Sequence, residues 1–434
     1  MKYTFLLFIS FITNIFSEEL IFFDNFDKFN FDIWDHEISL SGGGNNEFQY
    51  YLNNRTNSYV SDSLLHIYPS FTNDIITEEQ MIGTSENPFV FDISGQCNNP
   101  QFFGCSKTSN GHYIINPITS TRINTKKSFW FKYGRVEFKA KLPKGKWLWP
   151  AFWLLPKYEE YGPWPASGEI DFLESRGNGF NYKQGGYNSF SSTLHWGPIL
   201  ELDSYNKTYS SFKYNNNKNF NEDFHTFGLI WTRDKIQTYF NNPKNIIFTH
   251  NFNEKLWDYG NFYKYNVYNP WVNGDINAPF DTEFYIIINL AVGGTNSYFP
   301  DNEDNKCWKM SDDDAALNFW NNKDTWYDTW FPREKREFQI DYVKVWKFSE
   351  STFNTNKYTN TNNNNNNNIT QTIILIISFS TLIFLIFIVA FFFKKKYFNK
   401  NKKYPNISIV NHRFRNYQSI DHETIPINKV RINV

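Results

Sequence analysis

Short hydrophobic runs recur along most of this chain, and few segments keep a helical period for long. The runs are rich in aromatic and β-branched residues and lie between clusters of Gly, Asn and Pro, which is typical of antiparallel strands joined by turns. Helices should therefore be short and peripheral. The runs that predict strands span residues 135–142, 150–155, 191–196, 226–231, 236–240, 284–292 and 338–348.

The run 284–292 begins with Phe-Tyr-Ile-Ile-Ile, which is apolar on both faces, as expected of a strand buried on both sides in a layered sheet. Around it, residues 18–350 contain no low-complexity break and no internal repeat. This length fits one large β-sandwich, although two small domains would also fill it. The pattern predicts an all-β sandwich.

The amino-terminal end departs from the strand pattern. Residues 5–16 form an apolar stretch that follows Lys2, is too short to span a bilayer and ends near Ser17. A buried first strand or a short membrane anchor is the alternative reading of such a stretch. The lysine, the length and the small polar residue at the end favour a signal peptide over residues 1–17.

The carboxyl-terminal end predicts attachment to a membrane. Residues 371–393 are apolar almost throughout and long enough for one transmembrane helix, and three lysines follow directly, which places the far end in the cytoplasm. Residues 351–370 form an Asn/Thr-rich linker that cannot bury a core, and residues 394–434 form a polar, basic cytoplasmic tail. We therefore expect a single-pass type I membrane protein whose ectodomain, residues 18–350, is extracellular or lumenal.

Charge and cysteine content limit which partners the protein can bind and which cellular compartment it can occupy. The formal net charge is -1 and the basic residues cluster only beside the predicted membrane helix, so we do not expect nucleic acid as a partner. In an oxidising compartment, Cys97 and Cys105 are close enough in sequence to close a small disulfide loop, which leaves Cys307 over. Sequons at Asn54 and Asn206 predict glycosylation on the lumenal side.

Aromatic residues make up 20% of the chain, more than a core needs. Sugar rings present apolar C–H faces that stack on aromatic side chains, so tryptophans near turns or strand ends predict a carbohydrate site. Packing in the core is the alternative for each tryptophan taken alone. The tryptophans at such positions are Trp147, Trp149, Trp153 and Trp164.

Residues 168–174 read G-E-I-D-F-L-E and carry three acids on one predicted strand. Side chains alternate faces along a strand, so Glu169 and Asp171 share a face while Glu174 has the wrong parity. One extra residue inserted as a β-bulge between Asp171 and Glu174 brings all three acids to the same face. A solvated outer face is the alternative, but the apolar run 150–156 nearby argues against it.

Two carboxyl groups about 5 Å apart are the requirement of a retaining glycosidase, in which one attacks the anomeric carbon and the other protonates the leaving oxygen. We assign Glu169 as the nucleophile and Glu174 as the acid and then the base. Asp171 lies between them and biases their protonation, because close carboxylates push each other's pKa values apart.

Residues 164–174, W-P-A-S-G-E-I-D-F-L-E, resemble glycoside hydrolase family 16, and within it the laminarinase-like endo-β-1,3-glucanases that carry the bulged E-x-D-x-x-E form. Further segments resemble landmarks of that family and occur in the family's order, so the resemblance covers nearly the whole of residues 18–350. These segments are 45–51, 133–137, 141–143, 193–196, 224–232, 289–294 and 340–346.

The resemblance implies a jelly-roll sandwich of two antiparallel sheets with a concave cleft that binds β-glucan polysaccharide. We expect the protein to be a monomer. The resemblance implies no cofactor, and although a structural calcium occurs in the family, no acidic loop for it is recognisable here. It also implies a set of sugar-contacting residues by position. These are Trp149, Trp164 and His195, with Asn46, Arg135 and Trp153 as weaker candidates.

Two departures from the laminarinase pattern keep other functions open. Residues 67–123 are expanded and resemble the β-glucan recognition proteins (Gram-negative bacteria-binding proteins), many of which only bind, and residues 295–297 replace an aromatic-containing loop. All three acids are present, which favours retaining endo-hydrolysis of β-1,3-glucan or mixed-linkage β-glucan. A membrane-bound glucan receptor and a glucan transglycosylase are the alternatives.

Overall fold

The computed structural model describes residues 18–214 and 218–348. The predicted signal peptide, linker, transmembrane helix and cytoplasmic tail lie outside the described residues and stay predictions. Within the described ranges, every helix is too short or too polar to cross a membrane.

Two antiparallel sheets form the body of the fold, and we name them sheet I and sheet II. Sheet I has the order β16 (Tyr209–Lys213), β15 (Ser189–His195), β14 (Glu169–Ser175), β13 (Leu148–Pro156), β20 (Phe284–Val292), β10 (Arg122–Asn124) and β2 (Asp35–His36), with β11 (Trp130–Phe131) also paired to β20. Sheet II has the order β19 (Ile246–Asn251), β18 (Lys235–Phe240), β17 (His225–Trp231), β12 (Gly134–Lys141), β21 (Phe338–Phe348), β5 (Leu64–Ile67) and β4 (Ser58–Ser61), with β1 (Glu18–Asp24) also paired to β21.

The two sheets pack through apolar side chains that alternate along their strands. On β12, Val136, Phe138 and Ala140 are buried and the residues between them are half-buried. The ring of Phe138 stacks on Phe152 of β13, with the centroids 3.9 Å apart. Burying such a ring stabilises the fold by about 1.5–3 kcal/mol, so the alternation fixes which face of each strand points to the core. The predicted all-β jelly-roll sandwich is confirmed.

Strand β20 is buried along its whole length, as its sequence predicted. Its core face packs toward sheet II, and near its carboxyl end it contacts the strand β3 (Gln49–Tyr51). There the Asn289 side-chain amide donates to the Tyr51 hydroxyl at 3.0 Å, and the backbone N–H of Val292 donates to the Gln49 side chain at 2.6 Å. Apolar residues inside and amide hydrogen bonds outside therefore hold this central strand.

The segment between β5 and β10, which we call the insertion, carries its own small elements. Its strands β6 (Ser70–Phe71) and β9 (Ile118–Ser120) form a three-stranded sheet with β3, which precedes the insertion in the chain, and β7 (Phe89–Asp92) forms a hairpin with β8 (Ser106–Ser109). Cys97 and Cys105 are joined in a disulfide beside this hairpin. The insertion is thus a structured addition to the sandwich.

Helices are short and peripheral, as predicted. The insertion helix α1 (Glu78–Ile82) begins at a capping box formed by Thr77 and Gln80. The other two α-helices of the described residues are α2 (Leu256–Tyr259) and α3 (Ala315–Asn321).

Candidate active site

Strand β14 lies in the middle of sheet I between β13 and β15, and it contains the predicted bulge. Asp171 pairs with Thr193 and Glu174 pairs with Ser191, so three steps on β14 face two steps on β15. Both Phe172 and Leu173 point into the core as a result. Glu169, Asp171 and Glu174 therefore share the face of sheet I that points away from sheet II, which we call the open face.

Each of the two outer acids receives a hydrogen bond from an indole. The Trp164 Nε1–H donates to Glu169 Oε2 at 2.7 Å, and the Trp149 Nε1–H donates to Glu174 Oε1 at 2.9 Å. Both tryptophans were predicted to contact sugar, and the structure brings both to the acids. The ring of Trp164 is partly exposed, whereas that of Trp149 is buried.

Asp171 lies between the outer acids and is almost fully buried. Burial raises its pKa well above the ordinary value, and the charges of Glu169 and Glu174 raise it further. One of its oxygens, Oδ2, has no hydrogen-bond partner in the described part of the chain, although the His195 Nε2 lies 3.4 Å away. Both effects favour the protonated form of this carboxyl, which can then donate a hydrogen bond.

His195 is held as a cation beside the acids. Burial by itself would lower its pKa, but the hydrogen bond to Asp203 and the charges of Glu169 and Asp203 outweigh it and raise the pKa to about 9. The Nδ1–H donates to Asp203 Oδ2 at 2.6 Å. Sequence reasoning found the histidine but missed Asp203, whose loop follows β15.

The pKa of Glu174 is shifted in the direction that a general acid needs. Burial raises its pKa, while the charges of His195 and Arg176 and the hydrogen bond from Trp149 lower it only in part. A carboxyl with a raised pKa keeps a proton to give to a leaving group.

Tyr298 forms a wall of the site that the sequence did not predict. Its ring stacks on Trp149, with the centroids 3.8 Å apart and an angle of 8° between the planes. The Arg176 guanidinium covers the other face of the ring at 3.7 Å. Residues 295–297 lack an aromatic side chain, but Tyr298, one position further on, supplies it.

Further along β13 from Trp149, Trp153 lies on the open face, as predicted. Its Nε1–H donates to Asn289 Oδ1 at 2.7 Å, and the Arg122 guanidinium lies 4.6 Å from its ring centroid. Arg122 also pairs with the buried Glu37 at 3.2 Å. Arg122 and Glu37 were missed because each lies in or beside a short strand without a local motif. Asn289 lies in a predicted strand and in a segment that resembles the family, but nothing in the sequence indicated its contact with Trp153.

Asn46 lies at the rim of the site. It is exposed and its side-chain amide donates to Thr295 Oγ1 at 3.2 Å, which places it against the turn that leads to Tyr298. It is therefore close to the wall of the open face, although no described contact joins it to the acids.

The prediction that Arg135 lines the cleft was wrong. Arg135 lies on β12 of sheet II, whereas the acids lie on β14 of sheet I. Its guanidinium pairs with Glu18 at 2.6 Å and stacks 3.6 Å from the Trp346 ring centroid. Because the neighbouring Val136 faces the core, Arg135 faces outward from sheet II, on the opposite side of the molecule from the acids.

The two sequons differ in exposure. Asn206 is exposed and follows Tyr205, whose ring centroid lies 5.3 Å from that of His195, whereas Asn54 is half-buried. Cys307 is a free, half-buried thiol. Glycosylation at Asn54 and Asn206 stays a prediction.

Glu169, Asp171 and His195 offer ligand atoms within 4.8 Å of one another, which is a spacing that a metal ion needs. A histidine that holds a second proton does not ligate a cation, because its ring nitrogens are both donors. Metal binding at these three residues would therefore require His195 to give up the proton that its raised pKa retains.

Comparisons with known proteins agree with the resemblance. A model of glycosyl hydrolases family 16 matches residues 99–282. A β-1,3-glucan-binding protein of Penaeus monodon is 43% identical over 342 residues, which cover 77% of this chain and 91% of that protein. A glucan endo-1,3-β-glucosidase of Cryptopygus antarcticus is 31% identical over 328 residues, which cover 74% of this chain and 91% of that protein.

Other matches cover less of the protein compared or are more distant. The chain spans 64% of the length of β-1,3-glucan-binding proteins of Galleria mellonella and Manduca sexta. Among solved structures, an endo-β-1,3-glucanase from Pyrococcus furiosus is 25% identical, with a TM-score of 0.49, over 77% of this chain and 96% of that one.

Proposed function

The chain belongs to glycosyl hydrolases family 16, and on this premise we propose that it cleaves β-1,3-glucan or mixed-linkage β-glucan inside the polymer with retention of configuration. The observation that carries the proposal is the bulge in β14, which turns Glu169 and Glu174 to one face. Each carboxyl accepts a hydrogen bond from its own indole. The two environments differ because the Trp164 ring beside Glu169 is partly exposed and the Trp149 ring beside Glu174 is buried.

In the proposed reaction, the Glu169 carboxylate attacks the anomeric carbon while Glu174 gives its proton to the leaving glycosidic oxygen. The product is a covalent glycosyl-enzyme and a shortened glucan. Glu174, now ionised, takes a proton from water, and the resulting hydroxyl displaces Glu169 and restores both carboxyls. The raised pKa of Glu174 supports its role as the acid of the first step.

Asp171 and His195 are proposed to set the charge of the site. The buried Asp171 carries its proton and donates it toward Glu169, which stabilises the ionised nucleophile. The His195 cation offsets the negative charge of the outer acids before the reaction begins.

A second candidate is a receptor that binds β-glucan without cleaving it. Two observations favour it: the relative that is 43% identical is named a binding protein, and the cysteine-closed insertion resembles that branch. Both functions would use the open face. They differ in whether Glu169 and Glu174 cleave the bound glucan.

We also propose that the fold faces the extracellular or lumenal side of a membrane. The disulfide between Cys97 and Cys105 supports an oxidising compartment. The membrane helix and signal peptide on which this topology rests lie outside the described residues.

The test is digestion of laminarin by the full-length chain in detergent, with release of reducing ends over time. Glu169→Gln and Glu174→Gln should each lower the rate by at least about a hundredfold, since general acid catalysis alone contributes 10²–10⁴-fold. Laminarin that is bound by the wild type but stays intact would instead identify the receptor.

Azide rescue separates the roles of the two acids. With an activated aryl β-glucoside, azide should give an α-glycosyl azide from Glu169→Ala, because it enters the face that the nucleophile vacates. With Glu174→Ala it should give a β-glycosyl azide, because it attacks the glycosyl-enzyme. The same anomer from both variants would contradict the assignment.

A further inference from the structure

A second concave surface lies beside the open face, and we call it the insertion groove. It is enclosed by residues 103–116 of the insertion, by Thr295 with Asn46, and by residues 310–317 before and within α3. Its volume is about 630 Å³, which falls in the range of sites that bind drug-sized or larger ligands. None of the proposed chemistry at Glu169 and Glu174 uses this groove.

The lining of the insertion groove combines exposed apolar side chains with hydrogen-bonding groups. Phe103 is 80% exposed, Tyr113 is 53% exposed and Met310 is 40% exposed. Single exposed apolar residues are ordinary, but three around one groove form a patch of the kind that marks a binding surface. The carboxylates of Asp312 and Asp313 lie in the same lining.

This combination suits a sugar chain better than an apolar or an anionic ligand. Aromatic rings stack on the C–H faces of pyranose rings, and carboxylates accept hydrogen bonds from sugar hydroxyls. An apolar peptide would bring no hydrogen-bond donors to the carboxylates of Asp312 and Asp313, and a nucleic acid would be repelled by them.

The insertion groove and the open face are bordered by the same turn. Gly293 and Gly294 end the strand β20, Thr295 lines the groove, and Tyr298 stacks on Trp149 beside the acids. The Asn46 amide donates to Thr295 at 3.2 Å and closes the turn against the loop 42–47. The same short segment is therefore a wall of both surfaces.

We propose that the insertion groove binds a distal part of the same β-glucan chain whose scissile bond lies on the open face. The inference rests on the proposed function and deepens it, since it makes the protein selective for long polymers over short oligosaccharides. A tetrasaccharide fills the open face only, whereas laminarin reaches Phe103 and Tyr113.

The test compares long and short ligands on the full-length chain in detergent. Binding of laminarin and of laminaritetraose is measured by calorimetry with Glu169→Gln also present in every protein, so that the ligands stay intact, and turnover of both is measured by reducing ends without that substitution. The variant carries Phe103→Ala with Tyr113→Ala, and its matched control is Phe23→Ala, an exposed aromatic of β1 in sheet II. Thermal unfolding of all three proteins checks that the exposed substitutions leave the fold intact.

We expect the double variant to bind laminarin roughly tenfold more weakly, the effect of losing one or two sugar–aromatic contacts, with laminaritetraose affinity unchanged. The Phe23→Ala control should match the wild type. Equal losses for both ligands, or no loss for laminarin, would overturn the inference. Because binding is read separately from cleavage, a wild type that binds but never cleaves refutes the hydrolase and still tests the groove.

Discussion

Three carboxylic acids with nearly identical intrinsic chemistry occupy one face of β14, and their surroundings assign them different tasks. Burial raises the pKa of Asp171 most strongly and that of Glu174 as well, whereas Glu169 lies beside a partly exposed indole. The sequence placed the acids and predicted that Asp171 would bias the protonation of the other two, but it could not give the direction of each pKa shift, because that depends on neighbours such as His195 that pair across strands. The surroundings of these individual residues therefore decide the function of the site.

Asp203→Asn tests the charge of His195. The substitution keeps the shape but removes the anion that accepts from Nδ1, so the pKa of His195 should fall below its present value of about 9. Activity that needs the cation should then be lost at lower pH than in the wild type. The pH profile of kcat/KM on laminarin measures this, and an unmoved alkaline limb would contradict the role of His195.

The same pKa has a consequence for stability. The pKa of folded His195 lies above the ordinary 6.5, so its charge stabilises the fold fully below about pH 6.5, and that contribution is lost as the pH rises through about 9. Asp203→Asn should flatten this dependence between pH 6.5 and 9. Thermal unfolding of both proteins across that window is the control for the kinetic result.

Tyr298→Ala tests whether the stack on Trp149 holds the general acid. In the wild type, the Trp149 indole donates a hydrogen bond to Glu174, and this bond lowers the pKa of Glu174. Without the stack the indole is free to move away, so the bond weakens and the pKa of Glu174 should rise. A stacking energy of about 0.5–1.5 kcal/mol corresponds to a fall in kcat of up to roughly tenfold. The pH profile of kcat/KM should shift upward together with that fall.

Tyr298→Phe is the matched control for this prediction. The Tyr298 hydroxyl is buried and has no hydrogen-bond partner within residues 18–214 and 218–348, so its removal leaves the stack and costs no bond. The control should keep the activity and pH profile of the wild type. If both variants lose activity alike, the ring stack is not what positions Glu174.

At the scale of elements, the strands that carry the core were predictable and those of the insertion were not. All seven predicted runs form strands, with each end within two residues of the prediction, because each alternates or stays apolar over a long stretch. Strands such as β6 and β7 are too short for a pattern to be read. They form because strand pairing and the disulfide hold them. A local sequence pattern does not show which distant segments will pair.

The bulge shows how far local reasoning reaches. Parity alone puts Glu174 on the core face, and the need to keep a carboxylate out of the core predicts the extra residue that β14 contains. Arg135 shows the limit, since its motif resemblance could not say which of the two sheets would receive β12.

The insertion reaches the open face through a chain of polar contacts, which predicts a role for its disulfide. Within the loop that the disulfide closes, the Asn99 amide donates to Glu37 at 3.0 Å, and Glu37 pairs with Arg122, which covers Trp153. Closing a loop of this length stabilises it by about 2–3 kcal/mol. The disulfide should therefore hold Trp153 in place for substrate.

Replacing Cys97 and Cys105 together by Ser should raise KM for laminarin more than it lowers kcat. Weakening one hydrogen bond to a buried carboxylate costs about 0.5–1.5 kcal/mol, or roughly two- to tenfold in KM. Cys307→Ser, which removes the free thiol, is the control and should leave both constants unchanged. A loss confined to kcat would place the effect at the acids rather than at Trp153.

For the whole molecule, the described fold begins and ends on sheet II. Glu18 of β1 pairs with Phe348 of β21, while the acids occupy the outward face of sheet I. Of the organisation predicted from the sequence, the described residues therefore cover the sandwich and leave the membrane segments as predictions. The predicted membrane segments must be tested by a modification that occurs only in the secretory lumen. Glycosylation at the sequons is such a modification.

Asn206 gives that test because its side chain is exposed, beside Tyr205 at the rim of the open face. Thr208 of its sequon is buried and accepts from the Trp196 indole at 2.8 Å, so the sequon has a structural reason to exist without a glycan. If the ectodomain enters the secretory lumen, an endoglycosidase should increase the electrophoretic mobility of the full-length chain, and Asn206→Gln should remove part of that shift. Asn54→Gln, at a half-buried site, should remove less. A chain whose mobility the enzyme leaves unchanged would contradict glycosylation at both sites and would withdraw this support for a lumenal ectodomain.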